Sequence, residues 1–421
     1  MFTVGLVVNP VAGLGGSAGL KGSDGTDVQR EALARGARPR AGERAAQAVR
    51  TLLARRPDTR IVTPPGPMGV EGAHELVHLP APHPEADQPG VGQPGDGQTT
   101  AADTRAAVVA LAHVDLLLFA GGDGTARDVL DALQELGDAA PPVLGIPAGV
   151  KVYSGCFALS PATAGFVAAE FDGRTAEAEV VDLDEELYRR GAVSPRLYGS
   201  LRVPAARAAM SGRKTGSSAT SEGTVEGIAR EVVATMRPGI RYVLGPGATT
   251  LAVGRELGLA TTLLGVDVIE RGGAGFGGVG GVVVGADVSE SELFELVRGE
   301  RAALVLSVIG GQGFVLGRGN QQVSPRVLDA VRDGGGELIV LATQQKLAGL
   351  NGRPLLADTG DEETDRKLSG HVRVITGHRE STIYRISPAS ADSARDGSSP
   401  AQSGREARSG PACEESACVG S

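Results

Sequence analysis

The stretch that most constrains this chain is Phe119-Ala-Gly-Gly-Asp-Gly-Thr125. The apolar run Val114 to Phe119 before it reads as a buried strand. After it, Val129, Leu130, Leu133 and Leu136 recur at helical spacing, and Gly137 offers a C-cap. A strand therefore enters a glycine-rich turn and a helix leaves it. Gly121, Gly122 and Gly124 let backbone N–H groups approach a ligand closely. The helix start adds the positive end of its dipole, where an anion is favoured. Asp123 is the unusual member. A carboxylate beside phosphate is repelled unless a cation bridges the two or the carboxylate takes a proton from a substrate hydroxyl. Both roles belong to phosphoryl transfer. The same residues also suit a tight turn with an aspartate capping the helix.

Other strand ends repeat the theme. Val4 to Val8 is a strand, and the loop from Val11 to Gly25 holds six glycines and Lys21. In a doubly wound sheet, ligands sit at the carboxyl ends of the strands, so this loop and the Asp123 turn should open on one side. Lys21 suits a phosphate contact as a point charge, or a solvated surface position. Val143 to Ile146 is a strand followed by Pro147-Ala-Gly-Val-Lys151. Arg241 to Leu244 leads through Gly245-Pro-Gly-Ala-Thr-Thr250 into a helix from about Leu251 to Leu257. This is a second strand–turn–helix unit, in which Thr249 and Thr250 either contact a phosphate or cap the helix. After the strand Ala303 to Ile309 come Gly310-Gly-Gln-Gly313 and Gly317-Arg-Gly-Asn-Gln-Gln322. Their amides suit reading a base, ribose or carboxamide, or a polar turn.

Composition narrows the class. Tryptophan is absent and aromatics make up 3%, which argues against stacking platforms for single-stranded nucleic acid. The net charge of −9 argues against a nucleic-acid partner generally. No run reaches the ~20 apolar residues of a membrane span. Met1 to Val8 lacks a basic lead and reads as a strand, not a signal peptide. Of three cysteines, Cys156 sits in an apolar context, while Cys413 and Cys418 lie in a low-complexity tail with no zinc spacing. A reducing cytoplasm is the expected compartment, and a homo-oligomer stays open.

The length suggests two or three domains. The pattern predicts an N-terminal α/β domain over 1–155, with a flexible Pro- and Gly-rich insertion at about 79–104. A second α/β domain should span 156–386, with strands at Ala178 to Leu183 and Tyr198 to Val203. A disordered tail is expected over 387–421. Gly212 to Ser221, with Arg213 and Lys214, reads as a polar loop over the cleft. His74, His78 and His83 mimic a metal cluster by spacing, but ordered ligands need partners that orient them. Asp358-Thr-Gly-Asp361 places two carboxylates in one loop, suited to a metal or to solvent.

Gly121-Gly-Asp-Gly-Thr125 resembles the signature of the NAD kinase, diacylglycerol kinase and 6-phosphofructokinase superfamily. Asn9-Pro-Val-Ala-Gly-Leu-Gly-Gly16, Leu20-Lys-Gly-Ser-Asp-Gly25, Gly145-Ile-Pro-Ala-Gly-Val-Lys151, Leu244-Gly-Pro-Gly-Ala-Thr-Thr250, Gly310 to Phe314 and Gly317 to Gln322 are similar to its ATP-NAD kinase-like branch. That branch includes the X-type proteins of acetoin catabolism. The resemblance spans most of Met1 to about Ile386. It implies a two-domain α/β fold: a Rossmann-like parallel sheet, then a larger mixed α/β domain. It implies phosphate transfer from ATP or polyphosphate, with Mg²⁺ or another divalent cation, to the 2′-hydroxyl of NAD, giving NADP. Asp123 would be the base or hydroxyl-orienting group. Asn9, Gly13, Gly15, Gly16 and Lys21 of the first loop would hold nucleotide, as would Gly121, Gly122, Gly124 and Thr125. Gly149, Lys151, Gly247, Thr249, Thr250, Gln312 and Asn320 complete the expected contacts. Metal ligands stay unassigned. Standard family members carry a further Asn-Glu or Asn-Asp motif that contacts NAD, and this chain has no counterpart at a comparable place. The acceptor therefore stays open between NAD and a sugar or other small alcohol. A nucleotide-binding accessory protein without turnover is the alternative of a different class.

Overall fold

The structure is a computed structural model that describes residues 1–20, 26–71, 73–76, 99–148, 152–183, 195–206, 210, 222–272 and 280–391. Lys21, Gly149, Lys151, His78, His83, Cys413, Cys418 and the expected loop from Gly212 to Ser221 lie outside the described residues.

The apolar runs read above become the centre of a parallel sheet. β1 (Thr3–Val8), β2 (Arg60–Thr63), β3 (Glu75–Leu76), β4 (Leu116–Gly121) and β5 (Val143–Pro147) lie in the order β3-β2-β1-β4-β5. Every residue of β4 and β5 is buried, as continuous apolar strands covered on both faces require. The helices here are α1 (Leu14–Ser17), α2 (Thr26–Ala34), α3 (Ala41–Arg55), α4 (Ala101–Ala110), α5 (Asp123–Leu136) and α6 (Pro161–Ala169). α3 packs on α6, and α4 packs on α5. The chain leaves β1 toward β2 and returns on the other side of β1 as β4. The crevice at the carboxyl ends of β1 and β4 is thus the topological switch point, where ligands of such sheets bind.

Two expected boundaries shift. α4 is closed at its start by a capping box between Thr100 and Asp103, so ordered structure resumes inside the expected insertion. Elements after residue 155, expected in the second domain, pack on the first sheet. β6 (Thr175–Leu183) and β7 (Pro195–Pro204) form an antiparallel ribbon whose Val180, Leu201 and Val203 join the same core as Val4, Leu118 and Ile146. Ala164 and Val167 of α6 join it too. The ribbon needs an apolar surface for one face and finds it on α5 and β5.

The second sheet follows α7 (Glu222–Thr235). In chain order its elements are β8 (Arg241–Leu244), α8 (Ala248–Glu256), β9 (Asp267–Arg271), β10 (Gly281–Gly285), α9 (Glu290–Val297), β11 (Ala302–Ser307), β12 (Phe314–Leu316), α10 (Pro325–Asp333), β13 (Leu338–Leu341), α11 (Gln344–Ala348), β14 (Leu355–Ala357), α12 (Glu362–Lys367), β15 (Gly370–Gly377) and β16 (Glu380–Pro388). The nine strands are ordered β10-β9-β8-β11-β13-β15-β16-β14-β12. β8, β11, β13 and β15 run parallel, while β9 and β10 at one edge and the β15–β16 hairpin bring in antiparallel pairs.

Strand alternation divides the side chains between two layers. Tyr242, Leu244, Ala303 and Val305 pack with α7 and α8, while Val243, Leu304 and Leu306 pack with α9 and α10. Of the expected tail, Ser387 and Pro388 belong to β16 and Ala389 is buried, while residues 392–421 lie outside the described residues. Among the described residues no helix is long and apolar enough to cross a membrane.

Candidate active site

Asp123 is the first residue of α5, yet it does not cap the helix. The N-cap is Gly122, which has no side chain to offer. Both carboxylate oxygens turn instead toward a strap of chain that follows β5. Tyr153 N–H donates to Oδ2 (2.7 Å) and Ser154 N–H donates to Oδ1 (2.9 Å). The first-turn N–H groups of α5 therefore have neither a capping side chain nor the Asp123 carboxylate as acceptor. Their dipole end opens into the β1/β4 crevice, an arrangement suited to an anion.

Asp123 is 6% exposed. Burial pushes its carboxyl up from 3.8 to about 7, against the lowering pull of the Ser154 and Tyr153 hydrogen bonds. Asp182 of β6 adds a smaller push in the same direction. Each Asp123 oxygen keeps lone-pair capacity beyond its one backbone donor. A carboxylate poised near neutrality can accept a proton from a hydroxyl and release it again.

The turn is fitted around Thr125. A Cβ on Gly121 would lie 2.4 Å from the Thr125 side chain, so β4 and α5 can join this tightly only with glycine there. Thr125 Oγ1 accepts from Asn9 Nδ2 (3.0 Å), and Asn9 Oδ1 accepts from Val11 N–H (3.2 Å). Asn9 thus ties the loop after β1 to the start of α5 across the switch point. Gly13 sits in that loop at φ 77°, and Gly15 and Gly16 follow it in α1. Asn9, the glycines 121, 122 and 124, Thr125 and Asp123 thus stand together at the carboxyl ends of β1 and β4.

Gly247, Thr249 and Thr250 mark the start of α8, at the carboxyl end of β8. Gly247 is again an N-cap with no side-chain bond. Thr250 Oγ1 donates to Gly247 O (2.9 Å), which uses its hydroxyl within the turn. A lysine not singled out from the sequence lies here: Lys346 Nζ donates to Ser307 Oγ (2.8 Å) and to Thr249 Oγ1 (3.4 Å). The expected amide readers work differently from the sequence reading. Gln312 Nε2 donates to Val152 O (2.8 Å). Asn320 Oδ1 accepts from Gly317 N–H (2.9 Å) while its Nδ2 donates to Val315 O (2.8 Å), so this amide braces its own turn. Asp358 pairs with Arg44, and Asp361 caps α12. Among the described residues no group of three His, Cys, Asp or Glu could hold a metal ion. The described residues thus do not build a cage for the magnesium that the sequence resemblance implies.

The two halves meet beside the crevice. Arg44 of α3 donates from Nε to Pro147 O at the end of β5 (2.6 Å) and forms an ion pair with Asp358 beyond β14. Arg318, 4% exposed, lies over the Phe314 ring at 4.7 Å. Its Nη2 donates to Leu159 O (2.9 Å). Burial pulls this guanidinium down to about 10, opposed by the charges of Asp358 and Asp123. Sequence reasoning missed the roles of Tyr153 and Ser154, because a backbone N–H carries no sequence signal. For Arg318 a signal exists, an arginine set between two glycines.

Family comparison matches residues 4–172 to the ATP-NAD kinase N-terminal domain and residues 237–386 to the ATP-NAD kinase C-terminal domain. The chain belongs to the ATP-NAD kinase family. No curated protein and no solved structure matches it. The two matched segments correspond to the parallel sheet with Asp123 and to the mixed nine-strand sheet. In this kinase family, the crevice at β1 and β4 becomes the candidate seat of phosphoryl transfer.

Proposed function

We propose that this protein transfers phosphate from ATP, or from polyphosphate, to the 2′-hydroxyl of the adenosine ribose of NAD, giving NADP. The observation that carries this reading is Asp123. It is a buried carboxyl held near neutrality by burial, beside an uncapped helix start at a sheet's switch point. In the reaction, Asp123 accepts the proton of the acceptor hydroxyl. That oxygen then forms a bond to the terminal phosphorus of the donor, and the bond from phosphorus to the departing phosphate oxygen breaks. The N–H groups at the start of α5 and the loop of Asn9, Gly13, Gly15 and Gly16 hold the phosphate charge. Gly247, Thr249 and Lys346 supply a second contact to the phosphate-bearing ligands. The protein offers positioning and charge more than covalent chemistry, as phosphoryl transfer generally requires.

The test is a product assay on the purified protein with ATP and Mg²⁺, offering NAD and a panel of sugars and reading products by mass. NADP that forms with the native chain and not with Asp123→Asn supports the proposal. A phosphorylated sugar would keep the mechanism and change the acceptor. No product, with polyphosphate also tried, would favour a binding protein without turnover.

A further inference from the structure

The segment from Val152 to Leu159 is a strap that doubles back along β5. Gly145 N–H donates to Cys156 O (2.8 Å) and Ala158 N–H to Gly145 O (3.0 Å). Ser154 Oγ donates to Val181 O (2.9 Å), and Gly155 N–H to Glu179 O (2.9 Å), which tie the middle of the strap to β6. Between these ties the strap delivers its two N–H groups to Asp123. Its two ends are held from the other half of the molecule: Val152 O accepts from Gln312, and Leu159 O accepts from Arg318.

Gln312 and Arg318 flank β12 in matching settings. Gln312 stands between Gly311 (φ 79°) and Gly313 (φ 83°), and Arg318 between Gly317 (φ 85°) and Gly319 (φ 79°). Left-handed backbone on both sides aims each side chain out of the C-terminal sheet, a conformation that only glycine adopts readily. At Gly317 glycine is required twice over, since a Cβ there would fall 1.7 Å from Asp358 O. Gln312 is 5% exposed and Arg318 4%. Both are therefore buried polar side chains spanning the two halves.

We infer that Gln312, with Arg318 as the second anchor, is a positioning residue: it fixes the strap whose Tyr153 and Ser154 N–H groups orient the Asp123 carboxylate. Docking of the C-terminal domain then sets the geometry of the proposed base in the N-terminal one. This deepens the proposed kinase function and rests on it for its catalytic meaning. The physical coupling itself needs no turnover to be observed. Val152 carries the held carbonyl and Tyr153 the first donor, so a shift at Val152 passes to the carboxylate through one peptide unit, with little slack.

The test reads the ionisation of Asp123 in the full chain, as the midpoint of the pH dependence of unfolding stability that disappears on Asp123→Asn. Besides the backbone donors of the strap and its own Cys156 thiol, the charged groups acting on Asp123 are Asp182 from β6 and Arg318 beyond β12. None of these changes in the two variants, Gln312→Met and Gln312→Asn. The first removes the donor at similar length. The second keeps an amide but draws it back by one methylene. Release of the strap admits water, which lowers a carboxyl raised chiefly by burial, and loosens the Tyr153 and Ser154 donors, which raises it. Burial is the largest cause, so both variants should move the midpoint down by about half a unit or more. Where the native chain turns over, they should also lower kcat by about 10-fold or more with KM little changed. If both variants melt earlier and keep the native midpoint, Gln312 is a structural tie only and the inference fails. A native chain without turnover would instead overturn the kinase reading, while the midpoint would still decide the coupling.

Discussion

At the scale of single residues, Asp123 dominates. Its folded-state value of about 7 lies above the ordinary 3.8. Between those two values the folded chain binds more proton than the unfolded one, so stability falls as pH rises from about 4 to about 7 and levels off beyond. Asp123→Asn should abolish that slope in a series of denaturant titrations across this range. At neutral pH the substitution removes the cost of a buried charge, but it also sets an amide N–H₂ against one of the two strap donors. That mismatch costs roughly 1–3 kcal/mol, so the net change at pH 7 should be small while the slope is lost. Catalysis runs the other way. A base must be ionised, so kcat/KM should rise with pH through about 7 and be lost in Asp123→Asn. A rate unchanged from pH 5 to pH 8 would contradict the assignment.

At the scale of elements, the join between β4 and α5 is the tightest in the crevice. Gly121→Ala would press a methyl group into the Thr125 side chain, and relief must come from Thr125 leaving its bond with Asn9 or from α5 moving. Overpacking of this kind costs about 1–3 kcal/mol. The variant should unfold at lower denaturant and bind ATP more weakly in calorimetry, because the loop after β1 loses its tie. Other helices show the contrast. α6, α9 and α10 start on Ser160, Ser289 and Ser324, whose hydroxyls take up the first N–H groups. α5 and α8 start on glycine. A serine hydroxyl closes those three starts, whereas α5 and α8, like α1 on Gly13 and α3 on Arg40, have no capping side chain.

At the scale of the whole molecule, the two sheets are joined by buried charge as well as by apolar contact. Leu159 of the strap packs with Phe314, Leu356 and Ala389 of the other half. Beside them Arg44 and Asp358 pair at 16% and 7% exposure. Arg318 Nε stands 3.8 Å from the same Asp358 carboxylate and has no hydrogen-bond partner, so it depends on that charge. Asp358→Asn would leave two arginines facing one neutral amide. Breaking a buried pair from one side costs about 3–5 kcal/mol. We expect the variant to unfold in two steps, the halves separating first, with fluorescence-labelled ends or limited proteolysis as the readout. Arg44→Met together with Asp358→Asn should lose less than the sum of the two single losses.

Local order was legible in the chain. The strand–glycine turn–helix units at Asp123 and Thr249 lie where the apolar periodicity and glycine turns put them. These depend on neighbours a few residues apart. β12 and β14, three residues each, were too short to show a period, and β10 was hidden in a glycine-dense run. The ribbon of β6 and β7 was visible as strands, but not that it would pack on the first sheet's core, since an apolar face does not say which surface will cover it. The amino-acid sequence by itself determined the crevice's glycines, its aspartate and the family. Only the tertiary structure decided that Asp123 faces Tyr153 and Ser154 rather than capping its own helix. It alone also decided that Arg44 meets Asp358 across 314 positions and that Gln312 reaches Val152 across 160. Such partners are chosen by how the sheets stack, and stacking depends on the burial of the whole chain at once.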